Sequence, residues 1–214
     1  MAVLKNGPNG GFSGKVGSVV GYRWKNLDVI RGLPRKSRKP RSEARLANEQ
    51  AMKVTMDVLK PLKLLIRKGF GAAAEPLNMS AFNLALSYNK KNAVTGAYPD
   101  LTVDWDRLRI SQGDLAGITD MQAAWTADGL SVRWSDAPAG VPAHPQDQLW
   151  VVVYLPQKHV WWPFFNVAAR QTGACRLPIS GNGSPTDAHV LAFFVAYTGD
   201  AVSDSVHRFV AVGD

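Results

Sequence analysis

The sequence predicts a mainly β protein of the α+β class, with a glycine-rich β-hairpin and basic extended arm at residues 1–41, a helical segment at 42–98 and an antiparallel β-sandwich domain at 99–214. Two hydrophobic periods support this division. Apolar residues recur every three or four positions in the middle segment, which is typical of an amphipathic helix. They recur at every second position in the last segment, where turn residues bound short runs, as in strands.

The distribution of charge also divides the chain into two unlike segments. Residues 1–92 carry 18 Lys and Arg against 5 Asp and Glu, a net charge of +13, whereas residues 93–214 carry 7 against 12, a net charge of −5. A basic segment joined to an acidic one favours self-association or binding to a polyanion over catalysis.

The first segment predicts two strands, at residues 16–24 and 29–30, around a turn at 25–28. A half-apolar hairpin is not stable alone in water, so it has to dock on another surface. We therefore expect an assembly interface formed by Val20, Tyr22, Trp24, Val29 and Ile30. The basic arm follows at once, and its expected contacts with a polyanion or with an acidic protein face are Arg31, Arg35, Lys36, Arg38, Lys39 and Arg41.

The middle segment predicts two helices. Ser42 is in a position to cap the first, Pro61 should kink or split it, and Gly69 and Gly71 should end it. The second helix is predicted at about residues 78–89. Its apolar side chains should lie on one face.

The last segment predicts a series of short strands. The first, over residues 101–110, carries a phase change that indicates a bulge near Asp106 and Arg107. Asp128-Gly129 predicts a tight hairpin turn between two later strands. About seven antiparallel strands at these spacings are typical of an immunoglobulin-like or fibronectin-III-like sandwich, with Trp134 as the candidate core tryptophan. The later strands are predicted at residues 121–125, 130–134, 148–155, 159–165, 174–179, 189–197 and 205–212.

Several short motifs together resemble an uncharacterised Bacteroidota family, a domain of unknown function. The motifs span nearly the whole chain, and the resemblance implies no catalytic residue. The aromatic stretch at residues 161–165 does not belong to the family pattern. The matching motifs are residues 10–17 (GGFSGKVG), 19–21 (VVG), 31–37 (RGLPRKS), 110–115 (ISQGDL), 151–156 (VVVYLP) and 202–206 (VSDSV).

The residue types argue against most enzyme classes. Gly14-Lys15 resembles the end of a phosphate-binding loop, but Val16 stands where a Ser or Thr would bind magnesium. The four histidines, at 144, 159, 189 and 207, lie on separate predicted elements with no metal-ligand spacing. Asp104 and Asp106 are expected to be solvated on one strand face. The sequence therefore predicts no catalytic residues, no cofactor and no metal.

The cysteine count and the hydropathy of the chain limit where in the cell we expect the protein to be. Cys175 is the only cysteine, so no internal disulfide forms, and we expect it to be a buried strand residue. No segment has the apolar length of a membrane span, and residues 1–9 lack the apolar run of a classical signal peptide. We therefore expect a cytoplasmic protein, or one that is exported or assembled by a non-classical route.

Four aromatic residues on one predicted strand exceed what core packing requires, and Pro163 favours an edge position for that strand. An exposed pair of them could stack on sugar rings or on another protein, while packing at the end of the sandwich would explain them equally well. These possible contacts are Trp161, Trp162, Phe164 and Phe165.

Taken together, the sequence favours a non-enzymatic structural or assembly protein that self-associates through its N-terminal hairpin and arm. A homo-oligomer or another protein is the expected partner. A nucleic-acid-binding protein, of mobile-element or virion origin, is the first alternative because of the basic N-terminal region. A carbohydrate- or surface-binding module is the second.

Overall fold

The chain forms two compact units, Met1–Arg41 and Ser42–Asp214. The computed structural model describes residues 3–4, 11–24, 27–34, 40–135, 142–179 and 186–212.

The N-terminal unit is a four-stranded antiparallel sheet in the order β1-β2-β3-β4. Strand β2 ends at Val16 and β3 begins at Val19, so the single strand predicted over residues 16–24 is wrong at its start. Gly17 lies between them with φ +55°, a left-handed conformation that suits a two-residue hairpin turn. The predicted hairpin is confirmed by β3–β4 pairing, but Leu27 already pairs with Trp24, so the turn predicted over 25–28 is too long and the strand predicted over 29–30 too short. The strands are β1 (Val3–Leu4), β2 (Phe12–Val16), β3 (Val19–Trp24) and β4 (Leu27–Gly32).

The helical segment contains four helices rather than two. Pro61 divides the first predicted helix as expected, because a 3-10 turn at Lys60–Leu62 separates α1 from α2. The last helix begins three residues later than predicted, where the Ser80 hydroxyl accepts a hydrogen bond from the Asn83 N–H at 3.1 Å. The helices are α1 (Glu43–Leu59), α2 (Lys63–Gly69), α3 (Gly71–Ala74) and α4 (Ala81–Asn92).

The strand predicted over residues 101–110 is largely wrong. A two-residue strand, β6 (Thr102–Val103), pairs with β5 (Val94–Thr95), and the chain then turns. The Asp104 carboxylate accepts a hydrogen bond from the Asp106 N–H at 3.1 Å, which gives the backbone a local partner in place of a strand.

Seven further strands form the predicted sandwich. One sheet has the order β11-β8-β7 and the other the order β10-β9-β12-β13, and all their pairings are antiparallel. This division is typical of the fibronectin-III-like arrangement. The strands are β7 (Thr119–Thr126), β8 (Gly129–Ser135), β9 (Gln148–Leu155), β10 (Val160–Phe164), β11 (Ala174–Leu177), β12 (Ala188–Val195) and β13 (Val206–Val210).

A hydrophobic core fills the space between these two sheets. Trp134 is only 6% exposed, and its ring meets Phe194 edge to face at 6.0 Å, so its predicted place in the core is confirmed. The indole N–H donates to the Arg170 carbonyl at 3.0 Å, which satisfies its one polar atom.

A second core lies on the other face of the β10-β9-β12-β13 sheet. There α1, α2 and α4 pack on the outward side chains of β9 and β12, including Val152, Leu191 and Phe193. Both strands are therefore covered on two sides, which explains why residues 148–155 are apolar on both faces. This unit is thus a three-layer structure of sheet, sheet and helices.

Candidate functional site

The strand registers of the N-terminal sheet assign each apolar side chain to a face. Tyr22 pairs with Val29, and Trp24 pairs with Leu27, so these four side chains point to the same side. Val20 lies on that side too. We call this the aromatic face. Tyr22, Trp24 and Leu27 are 36%, 46% and 55% exposed.

The opposite face is also apolar. Ile30 pairs with Gly21 and therefore points away from the other four predicted interface residues. It is 63% exposed, and Val16 on the same side is 50% exposed. The Phe12 ring lies directly over Gly21, where a Cβ would come within 2.6 Å of a ring carbon, so this close approach requires glycine.

The sheet lacks the burial that a stable fold requires. Among the described residues of this unit whose burial is assigned, only Gly21 is buried. The unit also carries ten Lys and Arg against one Asp, a net charge of +9 over residues 1–41. It is therefore a basic sheet with two half-exposed apolar faces.

The predicted basic contacts are only partly visible. Arg31 is exposed and its guanidinium lies 5.6 Å from the centre of the Tyr22 ring, on the aromatic face. Arg41 is exposed as well. The predicted contacts Arg35, Lys36, Arg38 and Lys39 lie outside the described residues.

The aromatic residues predicted as possible contacts at 161–165 lie on both faces of the sheet. Phe164 packs against the core between the sheets, and Trp161 stacks on Tyr154 with ring centres 4.3 Å apart. Trp162 is 37% exposed and pairs with Val153, which places it on the sandwich-core side. Phe165 is exposed and meets Trp150 edge to face at 4.8 Å, on the helix side. The exposed rings are thus separated by the sheet.

A cluster of polar and aromatic side chains that the sequence did not predict lies on the β10-β9-β12-β13 sheet. His207 Nδ1 is 2.7 Å from an Asp106 carboxylate oxygen, and its Nε2 is 2.9 Å from His189 Nδ1. The Trp105 ring stacks on His189 with centres 4.1 Å apart. We call these four residues the histidine cluster. Tyr154 extends it, since its ring stacks on Trp105 at 5.2 Å.

Electrostatics keep one histidine of this cluster neutral. Burial, together with the nearby His207, lowers the pKa of His189 from 6.5 to about 4. Asp106 and Asp187 act in the opposite direction and offset part of this shift.

The cluster does not have the form of a metal site. Its groups bond to each other in a chain rather than converging on one point. Within the described ranges, no three His, Cys, Asp or Glu residues are placed to hold a metal ion.

Strand register explains why the cluster was missed. His189 pairs with Phe209 and His207 pairs with Leu191, so the two rings are diagonal neighbours on one sheet face. The two histidines lie on strands that are consecutive in the prediction, at residues 189–197 and 205–212. Treating those strands as one hairpin would have brought the histidines together.

A polar cleft of about 690 Å³ lies beside His207, between α4 and the start of β13. Its two arginines already have carboxylate partners. Arg107 is 3.4 Å from Asp104, and Arg109 is 2.7 Å from Asp204. A cleft whose charges are satisfied in this way is a poor candidate for an active site.

The chain belongs to DUF6266, a family of unknown function, whose model matches residues 11–208. The resemblance carried by the sequence motifs is thereby confirmed at the level of the family. A comparison with curated proteins gave no match. Among the described helices, none is long and apolar enough to cross a membrane.

Proposed function

We propose that this chain is a non-enzymatic structural or assembly protein that self-associates through its N-terminal sheet. The supporting observation is the exposure of Trp24, Leu27 and Ile30 on two faces of a sheet whose described residues bury only Gly21. A small sheet needs a buried hydrophobic face, or packing on another element, to be stable by itself, and an exposed apolar surface is typical of a protein interface. Docking on another copy would remove at least one of these faces from water.

Charge favours a head-to-tail contact. Two N-terminal units, each with a net charge of +9, would repel one another if they met face to face. Residues 93–214 of a second copy carry a net charge of −5 and would attract the basic sheet. Contacts between unlike surfaces propagate, so they close into rings or extend into filaments.

Light scattering on nuclease-treated protein tests this proposal. At about 0.15 M salt, where charges are screened beyond roughly 8 Å, we expect a mass well above the 23.3 kDa of one chain. Deleting residues 1–41 should give a monomer, because Ser42–Asp214 is a compact unit with two cores. A monomeric full-length protein, or an oligomer unaffected by the deletion, would overturn the proposal.

Point variants identify the docking face. Leu27→Lys disrupts the aromatic face, and Ile30→Lys disrupts the opposite one. Leu64→Lys is the matched control, since Leu64 is 72% exposed on α2 in the other unit. We expect at least one sheet variant to lower the mass and the control to leave it unchanged.

Nucleic-acid binding is a second candidate, supported by the composition of the aromatic face. Tyr22 and Trp24 lie there beside Lys15 and Arg31, and such a surface can stack on bases while it neutralises phosphates. Binding of a labelled single-stranded oligonucleotide should then weaken steeply as salt rises. It should be lost when Arg35, Lys36, Arg38, Lys39 and Arg41 are neutralised. Binding that is insensitive to salt would exclude this candidate.

A further inference from the structure

The histidine cluster joins a turn to the sheet by side chains alone. Asp106 and Trp105 belong to the turn at residues 104–107, whereas His189 and His207 belong to β12 and β13. The Trp105 ring covers His189 and Tyr154. The hydrogen bonds of the two histidines therefore help to decide whether the turn stays in place.

The hydrogen-bond pattern assigns the protons of the neutral cluster. The Asp106 carboxylate only accepts, so His207 donates its Nδ1–H to it and leaves Nε2 as an acceptor. His189 then donates its Nδ1–H to His207 Nε2 across 2.9 Å. Of the two ring nitrogens that face each other, His189 Nδ1 is thus the donor and His207 Nε2 the acceptor.

The hydrogen bonds that link Asp106, His207 and His189 can accommodate one added proton but not two. With one added proton the contact survives, because an Nε2–H of His207 can donate to His189 Nδ1 when the His189 proton lies on its Nε2. A second proton, taken up from solvent by His189, leaves an N–H group on both sides of the 2.9 Å contact. Two donors form no hydrogen bond, and two adjacent cations repel each other.

We propose that the Asp106–His207–His189 chain is an acid-sensitive latch, which holds the turn of residues 104–107 and the Trp105 ring on the sheet and releases them when both histidines are charged. Release would uncover the aromatic surface of Tyr154 and Trp161. Burial of His189 beneath Trp105 places the second protonation well below neutral pH.

Other charged and titratable groups face the cluster from the surrounding elements. Asp106 and Asp187 favour protonation of His189. The cations Lys91, Arg107 and Arg109 line the polar cleft beside His207. His159 reaches the cluster only indirectly, because its Nδ1 is 3.3 Å from the Tyr154 hydroxyl.

Near-ultraviolet circular dichroism of the full-length protein from pH 7.5 to pH 3.5 tests the latch. We expect the signal of the stacked aromatic rings to be lost around pH 4, while the far-ultraviolet signal stays constant. His189→Phe keeps a stacking ring without a titrating group and should abolish the transition. His144→Phe is the matched control, since His144 stacks on Tyr197 outside the cluster, and it should keep the transition.

Asp106→Asn provides a second test that does not disturb the core, because Asp106 is 88% exposed. Removing this negative charge should move the transition to lower pH by about half a unit. The latch is disproved if the wild-type protein shows no near-ultraviolet transition, if His189→Phe keeps it, or if far-ultraviolet signal is lost with it. An Asp106→Asn midpoint that is unchanged or higher would also disprove it.

Discussion

Arg170 and Asp147 form an ion pair that is almost completely removed from water. The Arg170 Nε–H donates to a carboxylate oxygen of Asp147 at 3.2 Å, and their side chains are 2% and 1% exposed. The same carboxylate accepts the backbone N–H groups of His144 and Tyr197 at 2.8 and 3.2 Å. A second guanidinium nitrogen donates to the Ala116 carbonyl at 2.8 Å. The pair thus ties four separate segments together.

Breaking this pair should destabilise the protein strongly. In Asp147→Ala a buried guanidinium loses its counter-charge, and we expect the free energy of unfolding to fall by about 3–5 kcal/mol. Urea denaturation measures the change. The control is Asp128→Ala, which removes a shorter but exposed ion pair, to Arg176 at 2.8 Å. That variant should lose no more than about 1 kcal/mol, and equal losses would contradict the argument.

The β7–β8 hairpin depends on Gly129. This residue has φ +131°, and a Cβ added to it would lie 2.2 Å from the Leu177 carbonyl oxygen on β11. Gly129→Ala should therefore lower the free energy of unfolding by about 1–3 kcal/mol through backbone strain and steric conflict. Gly117→Ala is the control, because nothing lies within 4 Å of an added Cβ there. Equal stability of the two variants in urea would refute this role.

Elements that are defined by their own local residue types could be predicted from the sequence. Residues 148–155 were predicted as a strand, and β9 has those bounds and lies between β10 and β12. Asp128-Gly129 likewise predicted the β7–β8 hairpin, although the two turn residues are Ala127 and Asp128, one position earlier than predicted. Both signals are local, so one sequence was enough.

Features that depend on register or side-chain turns were not predictable. The alternation of Leu101, Val103 and Trp105 suggested a continued strand, but the Asp104 carboxylate closes a turn instead. Trp105 then contacts the sheet through its ring, and the alternation of apolar residues does not predict a contact of this kind. The histidine cluster needs the exact pairing of β12 with β13, and that pairing follows from packing on both sheet faces.

The thiol of Cys175 should be poorly reactive in the folded protein. Cys175 lies on β11 and packs against the core between the sheets, although it is only partly buried. Burial raises the pKa of the thiol to about 11, so the reactive thiolate is scarce at pH 8. We expect iodoacetamide to label the native protein about a hundredfold more slowly than the urea-unfolded protein. Equal rates would show that the thiol is exposed and unperturbed.

The lowered pKa of His189 also predicts how stability depends on pH. The unfolded chain binds a proton at this residue near pH 6.5, whereas the folded chain binds it only near pH 4. Between these values the unfolded state holds more protons, so stability falls as the pH falls. The contribution is complete above pH 6.5 and is lost by about pH 4.

We expect this loss to be about 2 kcal/mol, once solvent screening around a partly buried ring is allowed for. Urea midpoints measured at pH 7 and at pH 4.5 provide the test. The difference between the two midpoints should shrink in His189→Phe, which cannot titrate. It should persist in His144→Phe, since His144 lies outside the histidine cluster. If His189→Phe kept the full difference, acid sensitivity would have to arise from the carboxylates.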